Sequence, residues 1–358
     1  MSAGQMIALF FTFTTGSAAL TSPGPLIGFA RNGAWLSLLI SLAGGAVLLA
    51  CVLFLYRKFP HLNLIEYSRQ LLGKWVTLIL AIPFIFVQLY STSGIVLDVG
   101  LFMTTSMMRQ TPLYIFNLLM FFVVALTARS GIEKFARMFG VIIMSVVFFI
   151  MVIVVIGSAN YEFDGLRPVL PDGFKPVLMG SYFFFGVPIT ELILFALLLP
   201  YVRRDETRLL TKGMFLSLVA EHVTIIAVTL STLLTFGPIA GDRTYPMFEV
   251  ARTIGSIQGI ESLMGYSLII TSYMKDVISL YILNITITHL FRLPDNRILI
   301  FPLALIGFLF SLIQISLGQA RWVSAITVIE PLWKAFAYVL PVLILTAAAV
   351  LRKNRIAR

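Results

Sequence analysis

The sequence predicts an all-α polytopic membrane protein: ten transmembrane helices in a 5+5 inverted repeat, with helices 1 and 6 broken. Three observations lead to this prediction: the composition, ten long apolar segments, and matching interruptions in the first and sixth segments. Of the 358 residues, 59% are hydrophobic and 12% are charged. Soluble domains carry about 25% charged residues, so the composition excludes an ordinary soluble fold.

Ten segments are long and apolar enough to cross the roughly 30 Å hydrocarbon core of a bilayer. We place the first five spans at residues 5–30, 33–56, 75–107, 111–128 and 136–157, and the second five at 177–201, 213–238, 262–290, 298–318 and 333–351. A β-barrel would show short segments of alternating polarity, which the run from Val141 to Ile156 lacks. Helices are the other structure that satisfies its own backbone in lipid.

The chain divides into two halves of five spans each. We predict a first repeat at residues 1–158, an extracytoplasmic connector at 159–176, and a second repeat with a basic C-terminal tail at 177–358. The connector contains Pro168 and Pro171 among turn-forming residues. Such a composition is typical of a boundary between structural units.

The distribution of basic residues predicts a cell membrane protein with both termini in the cytoplasm. The even-numbered connectors and the C-terminus hold 17 of the 26 Lys and Arg residues, whereas the odd-numbered connectors hold 8, among them Arg321 and Lys334. Cytoplasmic connectors carry the excess of Lys and Arg. Because these residues flank the spans, we assign the net charge of +10 to contact with the lipid bilayer and expect no nucleic acid as partner.

Cysteine and histidine are too sparse to indicate a cofactor or metal site. The chain has one cysteine, Cys51, and three scattered histidines, which form neither a disulfide framework nor a metal-ligand spacing. The sequence also lacks a nucleophile with a plausible base and a phosphate-binding glycine loop after a strand. We therefore expect no cofactor and no enzyme activity.

The connector between spans two and three predicts a short amphipathic helix. Asn63 and Glu66 have the spacing of a capping box, and Gly73 suits the position that follows a helix end. The apolar residues between them share one face. Such a helix either lies in the membrane interface or is a plain anchoring connector.

The interruptions of spans one and six predict a solute site near the middle of the membrane. They fall at corresponding depths, at Thr14, Thr15, Gly16 and Ser17 in span one and around Gly186 and Pro188 in span six. A broken helix leaves amides and carbonyls unpaired at half depth, where they bind charged solutes. A free amino acid fits, with its carboxylate on the amides and its ammonium on the carbonyls or hydroxyls. The alternative is that the glycines only kink the helices or let them pack closely.

Ionisable residues inside spans are costly in lipid and therefore face protein or water. Five charged residues lie well inside the predicted spans, away from their ends: Asp98, Glu191, Glu221, Lys275 and Asp276. Glu191 either binds a proton or the solute amine, or is a buried acid satisfied by hydroxyls. Lys275 either forms a cross-helix ion pair with Glu191 or Glu221, or its ammonium replaces a coupling cation.

Two further patterns are candidates for polar function. Tyr90 and Ser91 belong to a polar strip in span three that either lines a pocket or forms interhelical hydrogen bonds. Glu221 and His222 resemble a proton-relay pair, but adjacent side chains on a helix diverge. We therefore favour helix-packing partners for this pair.

Several short strings occur in order along the chain. They are Ala34–Ser37 at the start of span two, Leu71–Trp75 before span three, Gly131–Glu133 and Ala136–Arg137 before span five, and Pro188–Glu191 in span six. Together they resemble the spore germination permease family, the B subunits of nutrient germinant receptors, within the amino acid, polyamine and organocation transporter superfamily. The resemblance covers nearly the whole chain. Thr190 departs from it, because family members usually have glycine before the glutamate.

The resemblance implies a receptor subunit in the inner membrane of a dormant spore. Its implied partners are a small-molecule nutrient such as an amino acid, a larger A subunit and a lipoprotein C subunit. The protein would bind the nutrient within a transporter-like architecture and trigger germination. The alternative within this class is a proton-coupled amino acid permease that uses Glu191 or Lys275. An ion channel is less favoured, because one chain supplies no ring of like charges, and so is an integral-membrane enzyme.

Overall fold

The computed structural model describes residues 1–255, 259–295, 297–316 and 318–356, and the regular elements in these ranges are helices. In chain order the α-helices are α1 (Ala3–Thr15), α2 (Ala18–Thr21), α3 (Pro23–Ala30), α4 (Ala34–Lys58), α5 (Leu64–Leu72), α6 (Lys74–Phe102), α7 (Leu113–Arg129), α8 (Ile132–Gly157), α9 (Lys175–Gly186), α10 (Thr207–Phe236), α11 (Pro246–Thr253), α12 (Glu261–Phe291), α13 (Ile300–Ile315), α14 (Gln319–Ser324), α15 (Glu330–Lys334) and α16 (Leu340–Ile356). A 3₁₀ helix, Ile189–Leu197, follows α9. Two π-helical turns, Ala325–Ile329 and Ala335–Val339, flank α15.

Within the described residues, eight helical stretches are long and apolar enough to cross a membrane. They are Ala3–Thr21, Pro23–Lys58, Lys74–Met107, Ile132–Asn160, Lys175–Leu197, Arg204–Asp242, Glu261–Phe291 and Gln319–Leu351. The apolar helices α7 and α13 are shorter, with 17 and 16 residues. The prediction of an all-helical, multi-pass membrane protein is therefore confirmed. The number of ten crossings, the inverted repeat and the repeat boundaries stay predictions.

Two of the predicted segments extend beyond the part of the chain that the structure describes. Predicted span nine, 298–318, includes residue 317, which lies outside the described residues. The second repeat also includes residues 256–258 and 296, and its basic tail ends at residues 357 and 358, all of which lie outside the described residues.

The last membrane helix begins well before the predicted position. We predicted span ten at 333–351, but the helical run starts at Gln319 and continues through α14, α15 and α16. The prediction was wrong because the charges of Glu330 and Lys334 made this segment resemble an outer connector. Both side chains are in fact buried, with relative exposures of 4% and 1%, because they pair with each other and with neighbouring helices.

Helix α5 has the predicted ends but lies against protein. Asn63 accepts hydrogen bonds from the backbone N–H groups of Ile65 and Glu66, and the Glu66 carboxylate accepts one from the Asn63 N–H. Its apolar face, including Ile65 and Leu71, is buried beneath the inner ends of the membrane helices. The helix therefore covers the predicted cytoplasmic end of the bundle.

Helix α12 forms the centre of the bundle and positions the site. In its most apolar stretch, 83% of the residues are buried inside the protein, against 28% for the stretch that contains α8. The outer face of α8 instead exposes large apolar side chains such as Val141, Met144 and Phe148. A face of this kind suits lipid, whereas the buried polar residues of α12 face other helices.

Candidate functional site

The first interruption separates α1 from α2 at Gly16 and Ser17. Gly16 has φ +26° and ψ −135°, a conformation that glycine adopts because it lacks a Cβ. The Gly16 N–H still donates to the Thr12 carbonyl at 2.9 Å, but Leu20 donates to Ser17 instead of Gly16. Among the described backbone bonds, none joins Ser17 N–H to the Phe13 carbonyl. The helical hydrogen-bond ladder is therefore broken at the predicted place.

The second interruption lies between α9 and the 3₁₀ helix Ile189–Leu197. The Val187 N–H closes the last turn of α9 on the Phe183 carbonyl at 2.9 Å, and Pro188 has no N–H to continue the ladder. The chain then continues as nine residues of 3₁₀ helix. Runs longer than about four residues are uncommon and often mark a functional hinge.

The carbonyls released at this second break are already bonded to side chains. The Thr190 hydroxyl donates to the Gly186 carbonyl at 2.8 Å. The Lys334 ammonium donates to the Val187 carbonyl at 2.9 Å. The predicted release of carbonyls at span six is thus present, but the protein's own donors use them.

A cavity of about 450 Å³ lies between the two interruptions and the last membrane helix. Its floor contains Ser17, Ser91, Pro188, Glu191, Lys275, Glu330 and Lys334. Part of its upper wall is apolar, with Phe29, Ile95, Phe183, Trp322 and Ile326, and Asp98, Asp242 and Arg243 also line the cavity. The cavity therefore combines a charged floor with a partly apolar upper wall.

Four buried charges alternate along the floor of the cavity. Lys334 Nζ lies 2.6 Å from Glu191 Oε1 and 2.8 Å from Glu330 Oε1, and Lys275 Nζ lies 2.8 Å from Glu191 Oε2. Ser91 donates to Glu330 Oε1 at 2.8 Å. Each carboxylate thus has a cationic partner. A buried carboxylate needs one because an uncompensated buried charge is strongly destabilising. Of the two alternatives for Lys275, the ion pair with Glu191 is confirmed.

Lys275 lies against the first interruption. A Cβ on Gly16 would lie 2.9 Å from Lys275 Cδ, so the glycine makes room for the lysine side chain. The ammonium is 5.4 Å from the centre of the Phe13 ring, a cation–π distance. Its one carboxylate partner among the described residues is Glu191. Because an ammonium has three N–H donors, Lys275 retains capacity to bind an anion in the cavity.

The predicted site residues divide into two groups. Ser17, Ser91, Pro188, Glu191 and Lys275 line the cavity. The others, Thr14, Thr15, Gly16, Tyr90 and Gly186, lie behind its wall, and their contact with a ligand stays a prediction.

Gly186 and Tyr90 are two of the predicted site residues that do not line the cavity, and both pack against the last membrane helix. Gly186 packs so closely on Pro331 that an added Cβ would overlap the proline side chain. Tyr90 packs edge-to-face on Trp333 with ring centres 5.4 Å apart. For Gly186 the structure shows the close helix packing that was the alternative to a solute site.

Sequence reasoning missed Glu330 and Lys334. Lys334 was counted with the outer connector between spans nine and ten, and the predicted start of span ten at residue 333 left Glu330 outside the membrane. Their spacing of four residues was the available signal, because Glu and Lys at i and i+4 face each other on a helix. The pair is buried in the described structure at 2.8 Å.

The outer part of the cavity is bounded by the segment before α11. Asp98 lines the cavity, and its Oδ1 atom lies 3.0 Å from the Tyr245 hydroxyl. Burial raises the pKa of Tyr245 well above its ordinary value, and the neighbouring Asp98 carboxylate raises it further. Tyr245 therefore remains a neutral donor that ties this segment to α6.

The inner end of the cavity is closed by aromatic side chains. Phe195 packs edge-to-face on Phe10 and Phe13, with ring centres 5.1 and 5.5 Å apart. All three side chains are at most 1% exposed. The predicted location of both termini in the cytoplasm would place this closed end on the cytoplasmic side, and that orientation stays a prediction.

A second buried polar group lies outside the cavity wall. Glu221 Oε2 is 2.5 Å from His222 Nδ1, and both side chains are fully buried. Our expectation that these adjacent side chains diverge was therefore wrong, because the imidazole turns back along α10 and also approaches the Leu218 carbonyl at 2.9 Å. Asp276 is equally buried on α12, and its carboxylate oxygens have no hydrogen-bond partner within the described residues.

Solved structures with this fold define the class of protein. MHP1, a nucleobase-cation-symport-1 family transporter in a closed conformation with bromovinylhydantoin bound, matches with a TM-score of 0.73 and 12% identity, over 94% of this chain and 75% of that chain. A Na⁺-coupled sialic acid symporter in its substrate-bound outward-open state matches with a TM-score of 0.69 and 12% identity, over 96% and 79%. The protein is thus a multi-pass membrane protein with a transporter fold.

Sequence relatives identify the family. A family model described as "Spore germination protein" matches residues 1–319, and the chain belongs to this family. Spore germination protein KB of Bacillus subtilis (strain 168) is 24% identical over 367 residues, which cover 98% of this chain and 95% of that protein. The resemblance inferred from the short sequence strings is therefore confirmed.

Proposed function

We propose that this protein is the nutrient-binding membrane subunit of a spore germinant receptor, located in the spore inner membrane, and that its nutrient is an amino acid. The observation that carries the proposal is the cavity between the two broken helices, whose floor holds two carboxylates and two ammoniums. Binding would shift the balance between an outward-open and an occluded state and so start germination.

The chemistry of the cavity matches a zwitterion. Lys275, which has one carboxylate partner among the residues that the structure describes, is placed to receive the ligand carboxylate, together with the Ser17 hydroxyl on the same wall. Glu191 provides acceptors for the ligand ammonium, and Glu330 adds a second negative charge beside it. The apolar upper wall around Phe29 and Phe183 favours an aliphatic side chain. A sugar would lack partners for these charges.

The assembly is proposed from the family. A larger A subunit and a lipoprotein C subunit are the expected partners, and the lipid bilayer surrounds the apolar outer faces of the bundle. The family name and the transporter fold support a germination role without distinguishing sensing from transport.

Equilibrium binding to the purified protein in lipid nanodiscs tests the proposal. We expect saturable binding of at least one of L-alanine, L-valine and L-leucine, no binding of glucose, and loss of binding for the N-acetyl and methyl ester derivatives. The Lys275→Ala variant should bind at least about tenfold more weakly, since it loses a charged partner, whereas the exposed control Lys212→Ala should bind normally. Binding of glucose alone, or equal binding by Lys275→Ala, would contradict the proposed site.

A proton-coupled amino acid permease is the second candidate. Its specific support is the close Glu221 and His222 pair, which is buried on α10 with His222 packed edge-to-face on Phe184 of α9. Uptake of labelled L-valine into proteoliposomes, driven by an imposed pH gradient, distinguishes the two. Repeated turnover favours the permease, and stoichiometric binding without uptake favours the receptor.

A further inference from the structure

Lys334 occupies the acceptors that a ligand ammonium would use at the second interruption. Its ammonium contacts the Val187 carbonyl at 2.9 Å, Glu191 Oε1 at 2.6 Å and Glu330 Oε1 at 2.8 Å. A lysine ammonium has three N–H donors, so these three acceptors satisfy it. The side chain is only 1% exposed although it lines the cavity floor.

The two lysines of the site therefore differ in what they can do. Lys275 has one carboxylate partner and can accept an anionic ligand group. Lys334 is fully bonded and can take part in ligand binding only by giving up a partner. The partners it would release, the Val187 carbonyl and the Glu191 carboxylate, are suited to another primary ammonium.

The short helix that carries Lys334, α15, lies between two irregular turns that would let it shift. The Glu330 N–H donates to the Ala325 carbonyl and the Leu340 N–H to the Ala335 carbonyl, so a π-turn stands on each side of α15. Such turns are rare and are frequent at functional sites. Pro331, within α15, packs directly on Gly186 at the end of α9.

We propose that Lys334 is a tethered competitor for the nutrient ammonium. The incoming amino acid places its own ammonium on the Val187 carbonyl and Glu191, the Lys334 side chain withdraws from both while retaining Glu330, and α15 shifts between its two π-turns. This inference rests on the proposed function and deepens it: the ligand must carry a free primary ammonium, because only such a group replaces Lys334 with the same charge and donors.

Competition of this kind lowers the apparent affinity of the site for the nutrient. A ligand binds a site that is free for only a fraction of the time with an apparent affinity reduced by that fraction. Removal of the competitor should therefore strengthen binding, although it removes a charge from the site. A purely structural ion pair predicts the opposite, since loss of one partner of a buried pair is destabilising.

Two probes test the proposal in the full-length protein in nanodiscs. The first is n-butylammonium, which resembles the lysine side chain. Calorimetry should show saturable binding to Lys334→Ala and none to the unmodified protein. The second is labelled L-valine, for which Lys334→Ala should bind about tenfold or more tightly than the unmodified protein, while Lys275→Ala binds more weakly.

A charge-balanced variant covers the case in which Lys334→Ala does not fold. Glu330→Gln combined with Lys334→Met removes one charge of each sign and should also bind L-valine more tightly. Weaker or unchanged L-valine binding by the folded variants, or absence of butylammonium binding by Lys334→Ala, would overturn the inference while leaving the proposed function intact. Failure of the unmodified protein to bind any of the tested amino acids would instead overturn the proposed function.

Discussion

At the scale of single residues, Glu191 connects the charges of the site. Its two carboxylate oxygens lie 2.6 Å from Lys334 Nζ and 2.8 Å from Lys275 Nζ. The carboxylate therefore neutralises ammoniums from two different helices, α12 and α15. Burial of Lys275 depends on this residue, its one carboxylate partner in the described part of the chain, because an unpaired buried ammonium is very costly.

Replacement of Glu191 should have a large effect on stability. We expect Glu191→Gln to lower stability by about 3–5 kcal/mol, the usual cost of breaking a buried ion pair, and to abolish amino acid binding. The thermal unfolding midpoint of the detergent-solubilised protein measures the effect. Glu249→Gln is the matched control, because that carboxylate is about one-third exposed and its partners Arg243 and Arg252 are 3.7 and 3.4 Å away at the surface. An equal effect of the two substitutions would contradict the assigned role of Glu191.

Gly186 gives a second prediction at this scale. Its close packing on Pro331 leaves no room for a methyl group, so Gly186→Ala should destabilise the protein by about 1–3 kcal/mol, as overpacking does. Gly140→Ala is the control, since its added Cβ would meet Ala8 at an ordinary 3.5 Å. The same unfolding measurement applies, and a Gly186→Ala variant as stable as Gly140→Ala would show that α15 does not pack tightly on α9.

At the scale of helices, the interruptions of a helix can be predicted from sequence more readily than the ion-pair partners of its buried charges. Gly16 and Pro188 disrupt a helix through their own backbone chemistry, so both interruptions could be predicted from local sequence. The start of the last membrane helix could not, because the cost of burying Glu330 and Lys334 is offset by Ser91 and Glu191, which are distant in sequence. The ion-pair partner of Lys275 is also distant in sequence, so the sequence left two candidates, Glu191 and Glu221.

Cysteine labelling tests the corrected boundary of the last helix. In a Cys51→Ser background, Val323→Cys should react with a membrane-impermeant thiol reagent added from outside, because residue 323 lines the cavity. Val328→Cys should react slowly. Residue 328 is 51% exposed on the outer surface of the helix, where we expect it to face lipid, and apolar surroundings suppress the reactive thiolate. Equally fast reaction at both positions would indicate a solvated connector and contradict the helix.

At the scale of the whole molecule, the fold places one charged cavity between an open and a closed end. The segment around Tyr245 borders the open end, and the contacts of Phe10, Phe13 and Phe195 seal the other. A cavity that is open at one end and closed at the other fits one state of an alternating-access protein, and its outward orientation stays a prediction. Composition predicted the multi-pass fold, but the direction in which the cavity opens depends on long-range packing that no local pattern encodes.

Protection of a cysteine at the first break tests the central claim, that this cavity receives a small zwitterionic nutrient from outside. Ser17→Cys in the Cys51→Ser background is treated with the impermeant reagent in sealed, right-side-out vesicles. We predict labelling from outside, and slower labelling in the presence of a mixture of L-alanine, L-valine and L-leucine but not of glucose. Labelling only from the inner side, or labelling that these amino acids leave unchanged, would contradict the account.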